Sequence, residues 1–417
     1  MLIERNIYLQ RLIDRKENGM IKVITGIRRC GKSYLLFNIY RDWLINSGVS
    51  EDHIIMVGLD DEQNEELLDR KLLGEYVRNK ITDERTYYIV LDEIQLVEGF
   101  EKLLNGLNRI KNADIYVTGS NSRFLSSDIL TEFRGRGDEV RIYPLSFSEF
   151  YSVFNGTKTE AWREYSLYGG MPQIVEQRRP EQKENFLKNL FKKVYLDDII
   201  SRNNLRGDNI MDILVNILAS SVGSNTNPNK LANTFVSNGY KGVSNKTIAT
   251  YIDCLIDAFL ISKASRYDVK RKKYISTPSK YYYCDVGLRN ARLEFRQYEV
   301  THLMENIIYN ELLIRGYSVD VGIVTHDEKN KERKITRKQL EVDFVANRGS
   351  QRYYIQSAFA IPDLKKMNQA QASLVKIPDS FKKIIVVAHE TPLWRNEHGI
   401  TIMNIYDFLL DRDSLDH

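Results

Sequence analysis

Along its first 145 residues the chain alternates short apolar runs with longer segments of helical periodicity. Each apolar run has the length of a buried strand, and each helical segment repeats apolar residues three or four positions apart. The predicted strands are Met20–Thr25, His53–Leu59, Tyr87–Leu91, Asp114–Thr118 and Glu139–Tyr143, and the predicted helices are Lys32–Asn46, Glu62–Lys80 and Phe100–Ile110. This alternation is typical of a parallel sheet with helices on both faces. The pattern therefore predicts an α/β domain over residues 1–145.

The middle of the chain has a different pattern, which is mostly helical. Residues 146–208 read as a helical connector or lid, interrupted by the turn sequence Gly169-Gly170-Met171-Pro172. Three shorter helices and a basic ribbon follow, predicted at Ile210–Val222, Pro228–Val236, Asn245–Leu260 and Ile261–Cys284. Three helices and a two-stranded ribbon are the outline of a winged helix-turn-helix. We therefore predict a winged-helix domain over residues 209–296.

The last part of the chain, residues 297–417, predicts a small separate α/β domain. Its helix is predicted at Met304–Arg315, and its strands at Ser318–Val324, Glu341–Ala346, Tyr353–Ser357 and Lys383–Ala388. The segment 327–338 is so rich in charge that we expect a solvated loop there.

Composition narrows the class of protein. The 417 residues are 42% hydrophobic and 28% charged, which fits two or three globular domains. The formal charge of +4 does not by itself demand nucleic acid, and three widely spaced cysteines favour neither a disulfide framework nor a zinc site. The start of the chain lacks an apolar signal core, and no apolar run approaches the roughly 20 residues that span a bilayer. We therefore expect a cytoplasmic protein with no membrane contact.

The segment from Gly26 to Ser33 matches the phosphate-binding loop G-x-x-x-x-G-K-[ST] at every fixed position. Glycines let the backbone N–H groups turn toward a phosphate, and the following helix adds its positive end. Lys32 would reach the β- and γ-phosphates of ATP, and Ser33 would bind Mg²⁺. The predicted nucleotide-contacting residues are Gly26, Arg28, Arg29, Cys30, Gly31, Lys32, Ser33 and Tyr34.

Two carboxylates, Asp92 and Glu93, follow the third predicted strand. We expect Asp92 to hold Mg²⁺ and Glu93 to orient and deprotonate the attacking water. An ordinary polar loop after a strand is the alternative.

Two further segments are candidates for contact with the γ-phosphate. Asn121, with Ser120 close behind, follows the fourth predicted strand, although a polar helix cap explains either residue equally well. Arg136, and less so Arg134, precedes the fifth strand, where an arginine could stabilise phosphoryl-transfer charge in cis or from a neighbouring subunit. The alternative is a surface arginine.

Several segments together resemble the prokaryotic AAA-type ATPases of the AAA_14 family. They are ITGIRRCGKSYLL, YYIVLDEIQ, VTGSNSRFL, GRGDEVRIYPLSFSEF and YGGMPQIV, and the C-terminal segments KYYYCDVGLRN, ENIIYNELLIRGY and EVDFVANRGSQRYYIQSA resemble the DUF4143 domain usually fused to it. The resemblance implies ATP and magnesium binding at the residues named above, with Glu93 catalytic, Asn121 or Ser120 as sensor and Arg136 as arginine finger. It also implies the strand order of AAA ATPases, with the first strand central in the sheet.

The ribbon carries six basic residues: Lys263, Arg266, Lys270, Arg271, Lys272 and Lys273. The third helix of the predicted winged helix begins with the short polar residues Ser244-Asn245-Lys246-Thr247, which suit phosphates or base edges. DNA is therefore one candidate partner. The alternative is a solvated wing on a module that docks a protein client.

The last domain resembles the scaffold of restriction-endonuclease-like nucleases, which needs a helix acid, a strand Asp and then E-x-K. Glu305 and Asp343 match the first two positions, whereas Gln356 and Ala358 stand where Glu and Lys are required. Both lost groups are charged, so we expect a catalytically inactive domain.

Two functions remain open from the sequence. In the first, ATP hydrolysis moves the C-terminal domains on DNA or a protein client. In the second, slow ATP turnover sets a conformation that a partner reads. Arg136 acting in trans would require a homo-oligomer.

Overall fold

The computed structural model describes residues 3–119, 135–203, 208–240, 242–329, 335–361 and 364–417. The chain forms two compact units, an N-terminal unit of residues 1–144 with 257–259, and a C-terminal unit of residues 145–256 with 260–417. Within the described ranges, no helix combines the length and the apolar character needed to cross a bilayer.

The sheet of the N-terminal unit has five strands in the order β2-β3-β4-β1-β5. Its strands are β1 (Ile21–Thr25), β2 (Ile54–Gly58), β3 (Tyr87–Asp92), β4 (Ala113–Gly119) and β5 (Gly137–Arg141). Every neighbouring pair is parallel. All residues of β1 and β3 are buried, because helices cover both faces of the sheet. The predicted parallel sheet is confirmed, but the first strand is not at its centre, since β1 lies between β4 and the edge strand β5.

The helices of this unit agree with the periodicity except in one segment. They are Asn6–Ile13, Lys32–Tyr34, Leu35–Tyr40 (a π-helix), Arg41–Asn46, Glu51–His53, Glu62–Leu68, Arg70–Lys80, Ile94–Leu96 and Phe100–Leu107. The single helix predicted over 62–80 is divided into a 3₁₀ helix and an α-helix. Asp69 causes the division, since its carboxylate accepts hydrogen bonds from the backbone N–H groups of Lys71 and Leu72 and caps a new helix.

The helices of the C-terminal unit begin where the sequence changes to helical periodicity. They are Phe147–Val153, Lys158–Tyr168, Pro172–Ile174, Pro180–Asn189, Leu190–Leu196, Asp197–Arg202, Asp208–Ser220, Pro228–Ser237, Asn245–Asp257, Val286–Arg292, Val300–Ile314, Leu364–Val375 and Ile405–Leu410. Ser146 and Thr157 start the first two with capping boxes that use Glu149 and Glu160.

One mixed sheet of eight strands runs through the C-terminal unit in the order β12-β13-β11-β10-β9-β8-β6-β7. The strands are β6 (Ile261–Asp268), β7 (Lys273–Tyr283), β8 (Ser318–Lys329), β9 (Ile335–Arg348), β10 (Gln351–Ala358), β11 (Lys382–Val387), β12 (Trp394–Arg395) and β13 (Thr401–Asn404). In the charged segment expected to be a loop, residues 327–329 and 335–338 instead extend β8 and β9, which pair in an antiparallel manner.

The basic ribbon is not free-standing. Strands β6 and β7 pair in an antiparallel manner, as predicted, but β6 also pairs in parallel with β8, with Arg266 opposite Val321. This pairing satisfies backbone groups that a two-stranded wing would leave at an edge. The predicted boundary at residue 296 therefore falls within one compact unit and one sheet.

Candidate nucleotide-binding site

The loop between β1 and the helix that starts at Lys32 has a backbone that requires glycine. Gly26 and Gly31 have φ angles of 139° and 99°, in the region that favours glycine. A Cβ atom at Gly26 would lie 2.2 Å from the carbonyl oxygen of Ile142. The two fixed glycines of the motif therefore let the chain turn sharply at the carboxyl end of β1.

Lys32 is folded into this loop. Its ammonium donates hydrogen bonds to the carbonyl oxygens of Gly26 at 3.0 Å and Ile27 at 3.2 Å, and the side chain is only 4% exposed. Of the other predicted contact residues, Cys30 is buried with its Sγ 3.7 Å from the Ile142 carbonyl oxygen, Arg28 is half-buried, and Arg29, Ser33 and Tyr34 are exposed. The glycine loop thus encloses the ammonium group of Lys32, while Arg29, Ser33 and Tyr34 face solvent.

Asp92 ends β3 and is buried, with 5% exposure. Burial raises the pKa of its carboxyl group, and hydrogen bonds from Ser33 and Thr118 oppose that rise. The Ser33 hydroxyl thus lies close enough to Asp92 to affect its carboxyl group, although 59 positions separate them in the chain. A hydroxyl and a carboxylate are oxygen ligands of the kind that Mg²⁺ prefers, so this pair fits a magnesium ion.

Glu93 follows at once in an uncommon backbone conformation. Its φ of 53° and ψ of 42° lie in the left-handed region, which costs energy for a residue with a side chain. Its backbone N–H donates to Thr118 Oγ1 at 2.9 Å, and its carboxylate accepts a hydrogen bond from Gln95 Nε2. The chain therefore turns away from the line of β3 at Glu93, whose side chain is half-buried.

Thr118 is a site residue that the sequence motifs missed. It lies near the end of β4, between β1 and β3 in the sheet, and its hydroxyl contacts both Asp92 and Glu93. The sequence feature that could have identified Thr118 is its position at the end of a predicted strand, because polar residues at the carboxyl ends of neighbouring parallel strands meet at one edge of the sheet. The predicted residues Ser120, Asn121 and Arg134 lie outside the described residues.

Arg136 lies far along the sheet from the glycine loop. Its carbonyl oxygen accepts a hydrogen bond from Ile21 N at 2.7 Å, so it sits at the amino end of the parallel pair β1 and β5. The glycine loop begins at Gly26, at the carboxyl end of β1, which is six positions or about 20 Å away at 3.3 Å per residue. The structure therefore does not bring exposed Arg136 to the loop of its own chain. Another arginine of β5, Arg141, lies at the end of the strand that is next to the glycine loop. Its guanidinium carbon is 4.9 Å from the ring centroids of both Tyr143 and Phe259.

Comparison with known families defines the class of this unit. Residues 18–151 match the family described as an AAA domain, AAA_14. The glycine loop, the buried Asp92 and the parallel sheet all lie in that range, so the N-terminal unit contains an AAA-type P-loop ATPase domain.

Two full-length relatives extend the comparison to the rest of the chain. An uncharacterized protein of Haemophilus influenzae is 36% identical over 418 residues, which cover 98% of this chain and 99% of that protein. The chain belongs to the same family as that protein. An uncharacterized protein of Methanocaldococcus jannaschii is 28% identical over 394 residues, covering 91% of this chain and 82% of that protein.

The family of the C-terminal region corrects one prediction. Residues 159–299 match the domain of unknown function DUF8612, not DUF4143. The segment KYYYCDVGLRN, which suggested DUF4143, lies inside this match, whereas the other two suggestive segments lie beyond residue 299.

Solved structures show only remote similarity. The Aeropyrum pernix ORC1 protein in complex with DNA aligns with a TM-score of 0.31 at 14% identity, covering 70% of this chain and 93% of that one. AMPPCP-bound DnaA from Aquifex aeolicus aligns with a TM-score of 0.32 at 15% identity, covering 60% of this chain and 85% of that one.

Proposed function

We propose that this protein binds Mg·ATP at the glycine loop and hydrolyses the β–γ anhydride bond. The observation that carries the proposal is the closeness of the Ser33 hydroxyl to Asp92, beside a loop that already encloses the Lys32 ammonium. A phosphate-binding loop and a magnesium-type oxygen pair at one edge of a parallel sheet are the two halves of a nucleotide site.

Each residue has a distinct role in this proposal. Lys32 exchanges its two backbone carbonyl partners for the β- and γ-phosphates, and the loop N–H groups bind the β-phosphate. Ser33 and Asp92 hold the magnesium ion, which neutralises phosphate charge when bound. Glu93 accepts the proton of the attacking water. Thr118 is a positioning residue, because its one hydroxyl holds both Asp92 and the backbone of Glu93.

Replacement of Glu93 by Gln tests hydrolysis separately from binding. The variant should still bind Mg·ATP, but its turnover should fall at least about tenfold, since general-base catalysis contributes about 10²–10⁴-fold. Phosphate release and binding of a fluorescent ATP analogue are the two measurements. Glu98→Gln, which changes an exposed glutamate five positions away, is the matched control. Near-normal turnover in Glu93→Gln would assign the base to another residue.

Two further residues belong to the same proposal. We place Asn121, or Ser120, against the γ-phosphate as a sensor. Arg136 serves as an arginine finger in trans, because it lies at the opposite end of β5 from the loop of its own chain. A homo-oligomer follows from this assignment.

Mixing Arg136→Ala with Lys32→Ala should then restore some hydrolysis at mixed interfaces, and turnover per subunit should rise with concentration. Concentration-independent turnover with no rescue argues for a surface arginine.

The exposed turn of the β6–β7 ribbon favours DNA as a partner. Lys270, Arg271, Lys272 and Lys273 are all exposed there, and Tyr274, which follows them, is 67% exposed. Clustered cations beside an exposed aromatic ring suit a nucleic-acid backbone and its bases. The ATP cycle would then drive the C-terminal segments along DNA.

Salt dependence distinguishes DNA contact from protein docking. Changing the four basic residues to Ala should weaken binding to duplex DNA and flatten its salt dependence by about one unit of slope per lost phosphate contact. Lys365→Ala with Lys366→Ala removes exposed charges elsewhere and should leave the slope unchanged. An unchanged slope in the four-residue variant favours a protein client.

The second candidate function is a slow ATP-dependent switch read by a partner. The hydrogen bond from Gln95 to the Glu93 carboxylate favours it, because this contact occupies the proposed base. Turnover measured with and without duplex DNA separates the two functions. Stimulation by DNA indicates a motor cycle, whereas slow turnover under both conditions indicates a switch.

A further inference from the structure

A second group of charged residues lies buried in the C-terminal unit, independent of the nucleotide site. The acidic cluster consists of Glu305 on helix Val300–Ile314 and of Glu341 and Asp343 on β9. Lys280 on β7 lies among them and is only 4% exposed. Its ammonium nitrogen is 2.9 Å from Glu305 Oε1, 2.8 Å from Glu341 Oε1 and 3.9 Å from Asp343 Oδ1.

The oxygens of the acidic cluster also accept hydrogen bonds from neutral donors. The Tyr282 hydroxyl donates to Glu305 Oε1 at 2.6 Å, and Asn225 Nδ2 donates to Glu341 Oε2 at 2.7 Å. Gln356 Nε2 and the backbone N–H of Ser357 donate to Asp343 Oδ2, at 2.7 and 2.8 Å. Each carboxylate therefore has at least one oxygen that already accepts a hydrogen bond from a neutral N–H or O–H group.

This arrangement conflicts with the magnesium site of the nuclease-like scaffold. That scaffold needs carboxylates that share a divalent cation and a lysine beside them. Here Gln356 stands at the position of the second-strand acid, and its amide N–H donates a hydrogen bond to Asp343. Among the residues that the structure describes, no group of three or more His, Cys, Asp or Glu residues is arranged to hold a metal ion. The residues present do not fit magnesium.

We propose that Lys280 takes the place of the divalent cation, so that the acidic cluster is a lysine-filled centre that binds no metal and cleaves no nucleic acid. The lysine joins β7, β9 and the helix Val300–Ile314 by charge, as a metal ion would join its ligands. The centre is structural, and the C-terminal unit retains the nuclease-like scaffold without its chemistry.

The protonation of these groups supports the same assignment. Burial lowers the pKa of Lys280, but the charges of Glu305, Asp343 and Glu341 more than reverse this effect, so the amine stays cationic. Burial, with the nearby Glu305 charge, raises the pKa of Asp343 to about 7. A carboxyl group that holds its proton near neutral pH is a poor metal ligand.

A catalytic role for Lys280 fits the geometry less well. A lysine that activates water must have a donor free for water or for the scissile phosphate. Lys280 directs its donors to carboxylates within a nearly closed pocket of side chains.

Manganese titration of the full chain without nucleotide tests the proposal, with free Mn²⁺ measured by electron paramagnetic resonance. Wild type and Asp343→Asn should bind the same number of Mn²⁺ ions, because the acidic cluster binds none. Lys280→Ala should bind one Mn²⁺ more than wild type. The double variant Lys280→Ala with Asp343→Asn should lose that additional ion.

Thermal unfolding gives a second readout for the same proteins. In millimolar Mn²⁺ the melting temperature of Lys280→Ala should rise by about 2 °C or more, and that of wild type should not change. A wild-type manganese site that Asp343→Asn removes would overturn the proposal and make Lys280 a catalytic lysine. A folded Lys280→Ala protein without an additional ion would overturn it too. If Lys280→Ala does not fold, the wild-type and Asp343→Asn titrations still decide.

Discussion

Each unit contains a buried lysine, at Lys32 and at Lys280, but the two lysines have different partners. In the N-terminal unit, Lys32 donates to two neutral backbone carbonyls, while Asp92 is held by the hydroxyl groups of Ser33 and Thr118. In the C-terminal unit, Lys280 lies within 4 Å of three carboxylates. Residue type alone therefore does not show whether a lysine–carboxylate site is available to a ligand.

The physical difference lies in what a ligand must displace. A phosphate attracts an ammonium group more strongly than a neutral carbonyl does, so Lys32 can change partners at little cost. Carboxylates in a buried, low-dielectric setting hold Lys280 by full charges, and separating them leaves charges unpaired. The proposed function therefore requires Lys32 to give up only neutral partners, whereas Lys280 would have to give up charged ones.

The largest expected effect is the loss of stability in Lys280→Ala. Removing one partner from a buried ion pair typically costs about 3–5 kcal/mol, because the remaining charges stay buried without compensation. Chemical denaturation in the absence of divalent cations measures the change in the free energy of unfolding. Lys263→Ala, an exposed lysine on the neighbouring β6, should change it by less than about 0.5 kcal/mol. Equal losses of stability in Lys280→Ala and Lys263→Ala would show that the carboxylates around Lys280 do not hold it more firmly than an exposed lysine is held.

The next effect is on nucleotide affinity in Lys32→Ala. The variant lacks the ammonium group that would bind the phosphates, so its affinity for ATP should fall by about 10²-fold. This fall lies in the lower part of the range of free-energy costs for removing one partner of a buried charge pair. Equilibrium binding of a fluorescent ATP analogue measures it. Lys280→Ala, where it folds, should bind ATP with wild-type affinity. Tight nucleotide binding by Lys32→Ala would contradict the assignment of the loop.

The smallest effect concerns pH. Asp343 has a folded-state pKa of about 7, above its ordinary value of 3.8, so the folded chain binds this proton more tightly than the unfolded chain. Its contribution to stability is complete below pH 3.8 and is lost as the pH rises through about 7. Stability should therefore fall by about 2 kcal/mol between about pH 5 and pH 7 from this group.

Asp343→Asn should remove that part of the pH dependence, because Asn cannot titrate. Chemical denaturation at a series of pH values measures the slope in both proteins. An unchanged slope in the variant would place the titrating group elsewhere.

The parallel sheet and the glycine loop could be predicted because their signals are local. Strands buried on both faces are continuous apolar runs, and the loop motif lies within eight consecutive residues. The closeness of Ser33 and Asp92 was also predicted, because the glycine loop that leads to Ser33 follows β1 and Asp92 ends the parallel strand β3. Thr118 was missed because a threonine at a strand end has no motif of its own. Its role depends on β4 lying between β1 and β3.

The pairing of the basic ribbon could not be predicted. The turn and the alternation of β6 and β7 specify an antiparallel pair, but no local signal joins Arg266 to Val321, 55 positions away. Parallel pairing between distant strands is set by packing, which a short sequence window does not contain. The same limit applies to Arg136: the sequence places it before the fifth strand, but its distance from the glycine loop depends on the parallel pairing of β5 with β1.

The sequence by itself predicted the glycine loop of the N-terminal unit, because the motif, with its lysine and serine, is local to eight consecutive residues. It also showed that Gln356 and Ala358 lack the charges of a nuclease. Only the tertiary structure decided what neutralises Glu305, Glu341 and Asp343. Lys280 lies 25 positions from Glu305 and 61 from Glu341, and it reaches them because the helix Val300–Ile314 packs against both β7 and β9. Coulomb attraction in a buried setting depends on distance in space, which no pattern along the chain records.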